Sequence, residues 1–395
     1  MTSRRIVTIN AGSSSLKFAV YREADLAVEL SGQVADLGGE PRLRARAGAD
    51  VVADEPWLAG QDFDAILEGV FLWLARTGWA DGAVAVGHRI VHGGLEFREP
   101  AVLAPEVIRR LESLEPLAPL HQPFNLRGVE MARRHFKDAL QVGVFDTAFH
   151  ADQPDVARLY ALPRELINEG VLAYGFHGLS YQYIAEKLRI EDGPTARGRS
   201  IVLHLGSGVS LCAMASGRSV ATSMGFSALD CPPMSTRCGA LDPGVVLHLI
   251  QMQGMTVESV GDLLYHRSGL LGLSGESGDM VTLLASENPH SRQAIDVYVY
   301  RIAREIGSLA AALGGLDTLV FTAGVGEHAA LIRERISHMC GWLGVDLDAD
   351  ANRSGAHQIS APESRVKVLV IPTDEQVVIA QGVAKLASDS QRATV

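Results

Sequence analysis

Two copies of one short pattern constrain this chain more than any other feature. The stretch Ser200-Ile201-Val202-Leu203-His204-Leu205-Gly206-Ser207-Gly208-Val209-Ser210-Leu211 is an apolar run too short for a helix, a Gly-Ser-Gly turn, and apolar sequence again. It reads as a buried strand, a tight turn and a second strand. The same order occurs near the start, in Ile6-Val7-Thr8-Ile9-Asn10-Ala11-Gly12-Ser13-Ser14-Ser15-Leu16-Lys17-Phe18, where Asn10, Gly12 and Ser13 align with His204, Gly206 and Ser207. One Gly-Ser turn is ordinarily just a hairpin. Two, at corresponding points of two α/β halves, point to a duplicated unit whose turns face phosphate oxygens across one cleft. Neither copy is a Walker loop, and no dinucleotide-binding glycine fingerprint occurs.

A length of 395 residues accommodates two such domains, or three, each with its own core. The formal net charge of −11 argues against nucleic acid as a partner, so an anionic substrate needs local arginines and lysines acting against the overall field. Cys212, Cys231, Cys238 and Cys340 show no zinc spacing, which is the pattern of reduced thiols in a cytoplasmic protein. Thr2-Ser3-Arg4-Arg5 runs straight into the first strand, so no signal peptide is expected. No uncharged apolar run approaches the roughly 18 residues of a membrane span, so no membrane partner is expected either.

Along the chain, residues 22–56 are polar and Gly-rich, as in edge strands, and 62–76 have helical periodicity. Val84 to Gly94 reads as a buried strand entering a Gly-rich loop, with Arg89 near the join. His88 and His92 are four apart, but the glycines argue against the helix that would pair them as metal ligands. Helices are expected over 105–114 and 124–136, joined by a Pro-rich loop. Gln141 to Thr147 reads as a strand with Asp146 at its C-terminal end, where ligands bind in open α/β sheets. His177 precedes a helix, and residues 223–244 form a long loop with Arg237 near its centre. Further helices are expected near 243–253, 257–266 and 292–313. Asp317 to Thr322 is a strand opening into the Gly-rich Ala323-Gly324-Val325-Gly326-Glu327 and then a helix. Lys367 to Thr373 is a last strand, ending in Asp374-Glu375 at the start of the final helix. The alternation gives an α/β architecture.

The segments INAGSSSLKF, GHRIVHGG, PLHQPFN, VFDTAFH, YGFHGLSY, HLGSG, FTAGVGE and PTDE, together with the 223–244 loop, occur in the order and spacing of the acetate kinase family, which also includes propionate and butyrate kinases. The resemblance covers essentially the whole chain. It implies duplicated ribonuclease-H-like domains, the actin-like ATPase fold shared with sugar kinases and Hsp70, with nucleotide in the cleft between them. Residues 1–150 are expected to form the first domain, with a C-terminal helix at about 380–395 packing back on it; 151–379 are expected to form the second, which binds nucleotide and makes a homodimer. The implied reaction is reversible in-line transfer of the ATP γ-phosphoryl group to acetate, and to propionate, giving an acyl phosphate and ADP, with Mg²⁺ or alternatively Mn²⁺.

The resemblance also implies residue roles. Asn10 and Glu375 would hold the metal. Ser13, Ser15 and Lys17 would face the phosphates with Asn10. Arg89 would bind the acid carboxylate, and Val91, Leu120, His121, Phe176 and Ala228 would surround the rest of the acid. Asp146, His177 and Arg237 form the catalytic set. His204, Leu205, Gly206, Ser207 and Gly208, then Gly278, Asp279 and Met280, then Gly324, Val325, Gly326, Glu327 and His328 would contact nucleotide. Five positions depart from the family's usual residues. Ser207, Val281 and His328 fall on the nucleotide side, and Ala228 and Ser235 in the substrate loop.

The chemistry is consistent with these assignments. A carboxylate is ionised at neutral pH and needs no general base to attack phosphorus, so positioning and charge neutralisation carry the catalysis. Asp146 is accordingly read as an orienter of Arg89 or of a metal-bound water. A competing reading is a nucleotide-binding sensor of the same fold without turnover. A sugar or polyol kinase would need a base for a neutral hydroxyl and has no use for two substrate-side arginines.

Overall fold

A computed structural model of the chain describes residues 4–12, 15–37, 39–192 and 198–392. The first hairpin joins β1 (Arg5–Ala11) to β2 (Ser15–Arg22), antiparallel, with Asn10 opposite Lys17. The polar segment after it becomes β3 (Val28–Ala35), β4 (Arg42–Ala47) and β5 (Asp50–Pro56), stacked outward by successive antiparallel pairing. On the other side of β1, β6 (Ala83–Ile90) pairs in parallel, followed by a short β7 (Ala101–Val102) and by β8 (Leu140–Phe145), which is parallel to β6. The sheet order is β5-β4-β3-β2-β1-β6-β8-β7.

The second sheet repeats the centre of the first. Its hairpin is β9 (Arg199–Leu205) with β10 (Val209–Ala215), which places His204 opposite Ser210. β11 (Arg218–Thr222) adds antiparallel to β10, and β12 (Thr318–Thr322) and then β13 (Lys367–Val370) add in parallel beyond β9. Its order, β11-β10-β9-β12-β13, matches β3-β2-β1-β6-β8 strand for strand and direction for direction. The fold is therefore the duplicated ribonuclease-H-like, actin-like arrangement, and the echo between the two hairpins is its sequence trace.

The described chain divides into two compact units, one running to Ala148 and resuming at Asp374, the other Phe149–Thr373. In the first unit, helix Phe63–Arg76 starts where Asp62 accepts a hydrogen bond from the Ala65 N–H and buries Leu67, Val70, Phe71 and Leu74 against Phe18 and Leu30. Each such side chain contributes about 1.5–3 kcal/mol by leaving water. Helix Glu375–Arg392 covers the opposite face, with Ala380 and Val383 packed on Ile6 and Tyr21. Gly87 is required there: a Cβ on it would lie 2.5 Å from Ile379 Cγ2. In the second unit, helix Pro289–Leu313 is capped by Asn288 and ends at Gly314 with φ +70°, and it buries Ile302 and Ile306.

Two local expectations are corrected. The strand expected over 141–147 runs Leu140–Phe145, and Asp146 opens a 3₁₀ turn, Asp146–His150. The glycines after β12 lie within a short helix, Ala323–His328, entered through Ala323 at φ +63°. Two further helices, Gly269–Ser274 and Met280–Ala285, are six residues each, too short to leave a periodic signal. Among the described residues no helix is long and apolar enough to cross a membrane.

Candidate active site

The first unit gathers four of the expected residues around one guanidinium. Arg89, on β6, donates from Nε to both Asp146 oxygens at 3.1 and 3.0 Å and from Nη2 to Asp146 Oδ2 at 2.5 Å. Its Nη1 donates to Asn10 Oδ1 at 3.1 Å, and Asn10 Nδ2 donates to Glu375 Oε2 at 2.7 Å. Asp146 is fully buried, while the Arg89 and Glu375 side chains remain 15% and 14% exposed. Burial opposes the charge on Arg89, but Asp146 and Glu375 outweigh it, so the guanidinium is held above its ordinary value. A guanidinium has five N–H donors, and these contacts leave one on each of Nη1 and Nη2.

Two side chains that the sequence reading did not single out hold this set in place. Asn125 accepts from the Val91 N–H at 2.8 Å and donates to the Ala11 carbonyl at 2.6 Å, tying the end of β1 to the loop after β6. Gln122 accepts from the His92 N–H and donates to the His92 carbonyl, so the Val91–His92 backbone is fixed to the His121–Gln122 helix start. Val91 is buried, Leu120 and His121 are half-buried, and Lys17 is exposed beside Ser15 on β2. Ser13 lies outside the described residues. His88 is directed elsewhere: its Nε2 lies 2.8 Å from Gln141 Oε1, and burial pushes it down to about 4.

The second unit gathers a different set around the β9/β10 turn. Gly206 N donates to the Gly208 carbonyl at 3.0 Å, closing the turn. A Cβ on Gly208 would lie 3.1 Å from both Arg237 Nη2 and His177 Nε2, so both side chains reach the glycine. Arg237 Nη1 donates to the Ala228 carbonyl at 2.8 Å, and Ser235 N reaches the Ser207 carbonyl at 3.4 Å, which docks the long loop onto the turn. Burial lowers the Arg237 guanidinium from its ordinary value. The His177 ring stacks on His204 with centroids 4.1 Å apart, and its Nδ1 lies 2.7 Å from Ser210 Oγ, itself 2.5 Å from Tyr181 Oη. His204 Nδ1 is 2.9 Å from Ser180 Oγ.

The other nucleotide candidates lie on the helices Met280–Ala285 and Ala323–His328 and on the residues just before the first. The Gly206 Cβ position lies 3.7 Å from Ala323 Cβ, and a Cβ on Gly278 would lie 2.8 Å from the Ser235 carbonyl. Asp279 caps helix Met280–Ala285 by accepting from Thr282 N, and Met280 is buried. Glu327 accepts from the Thr373 N–H, so it serves the loop after β13, whereas His328 is 82% exposed. Phe176 is buried and Ala228 half-buried.

A model described as the acetokinase family matches residues 5–381. An acetate kinase of Rhodopseudomonas palustris (strain TIE-1) is 50% identical over 391 residues, 97% of this chain and 98% of that protein. A propionate kinase from Francisella tularensis superposes with a TM-score of 0.88 at 31% identity, covering 96% of this chain and 98% of its own. A Porphyromonas gingivalis acetate kinase gives a TM-score of 0.85 at 34% identity, covering 98% and 100%. With a family match across nearly all of its length and relatives at this identity, the chain belongs to the acetokinase family.

Proposed function

We propose a residue-level route for the ATP-dependent phosphorylation of acetate to acetyl phosphate and ADP, the activity of this family member. The observation that carries it is the state of Arg89. Asp146 occupies its Nε side and Asn10 one Nη1 hydrogen, leaving an N–H on each terminal nitrogen to receive an acid carboxylate in a planar fork. Asp146 is then the orienter of Arg89, and no proton acceptor is required. In the transfer, a carboxylate oxygen of the acid forms a bond to the γ-phosphorus as the bond from that phosphorus to the ADP oxygen breaks, and no proton moves. His177 and Arg237, converging on the Gly206–Gly208 turn, donate to the oxygens of the moving phosphoryl group.

Glu375 and Asn10 present a carboxylate and an amide oxygen, hard donors that suit Mg²⁺ and, as an alternative, Mn²⁺. The ion would share these ligands with nucleotide phosphates and water. When bound, the ion neutralises phosphate charge. We further infer a homodimer through the second unit, where helix Pro243–Gln251 buries none of its residues and exposes Val245 and Leu247. The four free thiols suit a cytoplasmic enzyme.

Hydroxylamine trapping tests the reaction and its range. With ATP and Mg²⁺, acetate yields trapped acyl phosphate, and propionate does so with kcat/KM within about tenfold, because Ala228 stands where the family commonly has proline, whose ring would take up about one methylene of the pocket. Ala228→Pro narrows the range towards acetate. No trapped product with either acid would leave the non-catalytic sensor as the reading. Acetate favoured a hundredfold or more would remove Ala228 from the pocket.

A further inference from the structure

His177 adopts a backbone conformation that L residues usually avoid. Its φ is +56°, and Gly175, two residues earlier, is at +81°. A non-glycine residue there is strained and persists only when its surroundings impose it. The side chain beneath this turn is His150, from the 3₁₀ turn Asp146–His150. His150 Nε2 lies 3.0 Å from the Phe176 carbonyl oxygen, and a Cβ on Gly175 would lie 2.6 Å from both Cγ and Cδ2 of its ring. The ring therefore fills the space that a side chain at 175 would need, and it contacts the Gly175–Phe176 backbone that leads into His177.

The hydrogen-bond pattern assigns the His150 protons. A carbonyl oxygen only accepts, so Nε2 carries the hydrogen. Burial pushes the imidazole down to about 4, so the ring is neutral at working pH and Nδ1 is an acceptor. Ser219 Oγ, 2.8 Å from Nδ1, is the matching donor, and it accepts in turn from Gln153 Nε2 at 2.7 Å. Gln153, Ser219, His150 and the Phe176 carbonyl form a buried network in which Nε2 gives its hydrogen to the carbonyl and Nδ1 accepts from Ser219, with Gln153 Nε2 a second donor 3.4 Å away. Both His150 nitrogens are committed within it, and the residue is 0% exposed, so it does not act on substrate directly.

We propose that His150 is a positioning residue for phosphoryl transfer: its Nε2–H holds the Phe176 carbonyl and so fixes the left-handed turn that aims the His177 imidazole at Gly208 and Arg237. The proposal rests on the role given to His177 above. Without His150, His177 keeps its Ser210 bond and its stacking on His204 but loses the hydrogen bond that holds the carbonyl before it.

The test is a kinetic double-mutant cycle on the full chain with His150→Phe, His177→Ala and the double variant, with a thermal melt of each. His150→Phe should lower kcat by about 10–100-fold while KM for ATP and for acetate stay within about threefold. His150→Gln, which keeps an N–H donor, should recover part of the loss. The double variant should be no slower than His177→Ala alone, because the two changes act through one group. Losses that multiply in the double variant would overturn the proposal. A His177→Ala enzyme within about tenfold of the parent would instead show that the role of His177 fails, and the proposal with it. Should His150→Phe not fold, Ser219→Ala combined with Gln153→Leu carries the same cycle: together they remove both donors within reach of Nδ1 and keep the ring, and coupling to His177 supports the proposal while multiplying losses overturn it.

Discussion

Arg237→Ala lowers kcat by about 10³-fold or more, the range for a guanidinium that neutralises a transferring phosphoryl group. The structure gives the reason. Arg237 is held by its Nη1 bond to the Ala228 carbonyl, which leaves Nη2 directed at Gly208, where His177 Nε2 also converges. Among the described residues no carboxylate pairs with it, and burial has already depressed its guanidinium, so the charge is placed for an anion arriving at the turn. Lysine has a point charge on a flexible stem and cannot keep both contacts, so Arg237→Lys should recover little. Steady-state kinetics at saturating ATP and acetate check this. A kcat within about tenfold of the parent, ~1.4 kcal/mol, removes Arg237 from the mechanism.

The second large effect is on stability as well as rate. Asp146 is fully buried and its charge is balanced by Arg89 through three hydrogen bonds, so Asp146→Ala leaves a largely buried guanidinium with only Asn10 and the more distant Glu375. Breaking a buried pair from one side costs about 3–5 kcal/mol. In a unit of this size each kcal/mol is worth roughly 2–4 °C, so melting should fall by about 10 °C. Removing both charges, in Asp146→Ala with Arg89→Met, should restore most of the melting temperature and none of the activity, because two apolar groups leave no unpaired charge. If Asp146→Ala abolishes activity with melting unchanged, the residue acts on the reaction directly and its pairing with Arg89 is incidental.

The parts of this architecture visible in the sequence are those that local pattern determines. Both hairpins have their apolar runs and Gly-Ser turns in the same order, and the repeated strand order follows from that duplication. The Asp62 cap and the apolar periodicity of 63–76 specify their helix without help from elsewhere. Resemblance supplied the candidate site residues, and the structure brings Asn10, Arg89, Asp146 and Glu375 together from four separate segments.

Long-range contacts were not legible. Asp146 reads equally as an orienter of Arg89 or of a metal-bound water, and its three bonds to Arg89, which join segments far apart in the chain, are what support the first reading in our proposal. Asn125, Gln122 and Ser210 act through backbone groups or through another side chain, so nothing in their neighbourhood in sequence marks them. Ala323 shows the opposite failure. Its glycine-rich neighbours look like a loop, yet the chain turns once through a left-handed residue and then forms a helix that keeps Gly326 buried.

In the proposed route the acid carboxylate is taken by Arg89 in the first unit, separately from the nucleotide set in the second. The direct measurement is the pair of KM values, for acetate and for ATP, in Arg89→Ala and Arg89→Lys. The account predicts a KM for acetate raised at least about tenfold in Arg89→Ala, since charged hydrogen bonds lost from a fork cost roughly 1.5–3 kcal/mol, with only partial recovery in Arg89→Lys and KM for ATP nearly unchanged. An equal rise in both KM values, or a rise in KM for ATP alone, would place Arg89 with the nucleotide and contradict it.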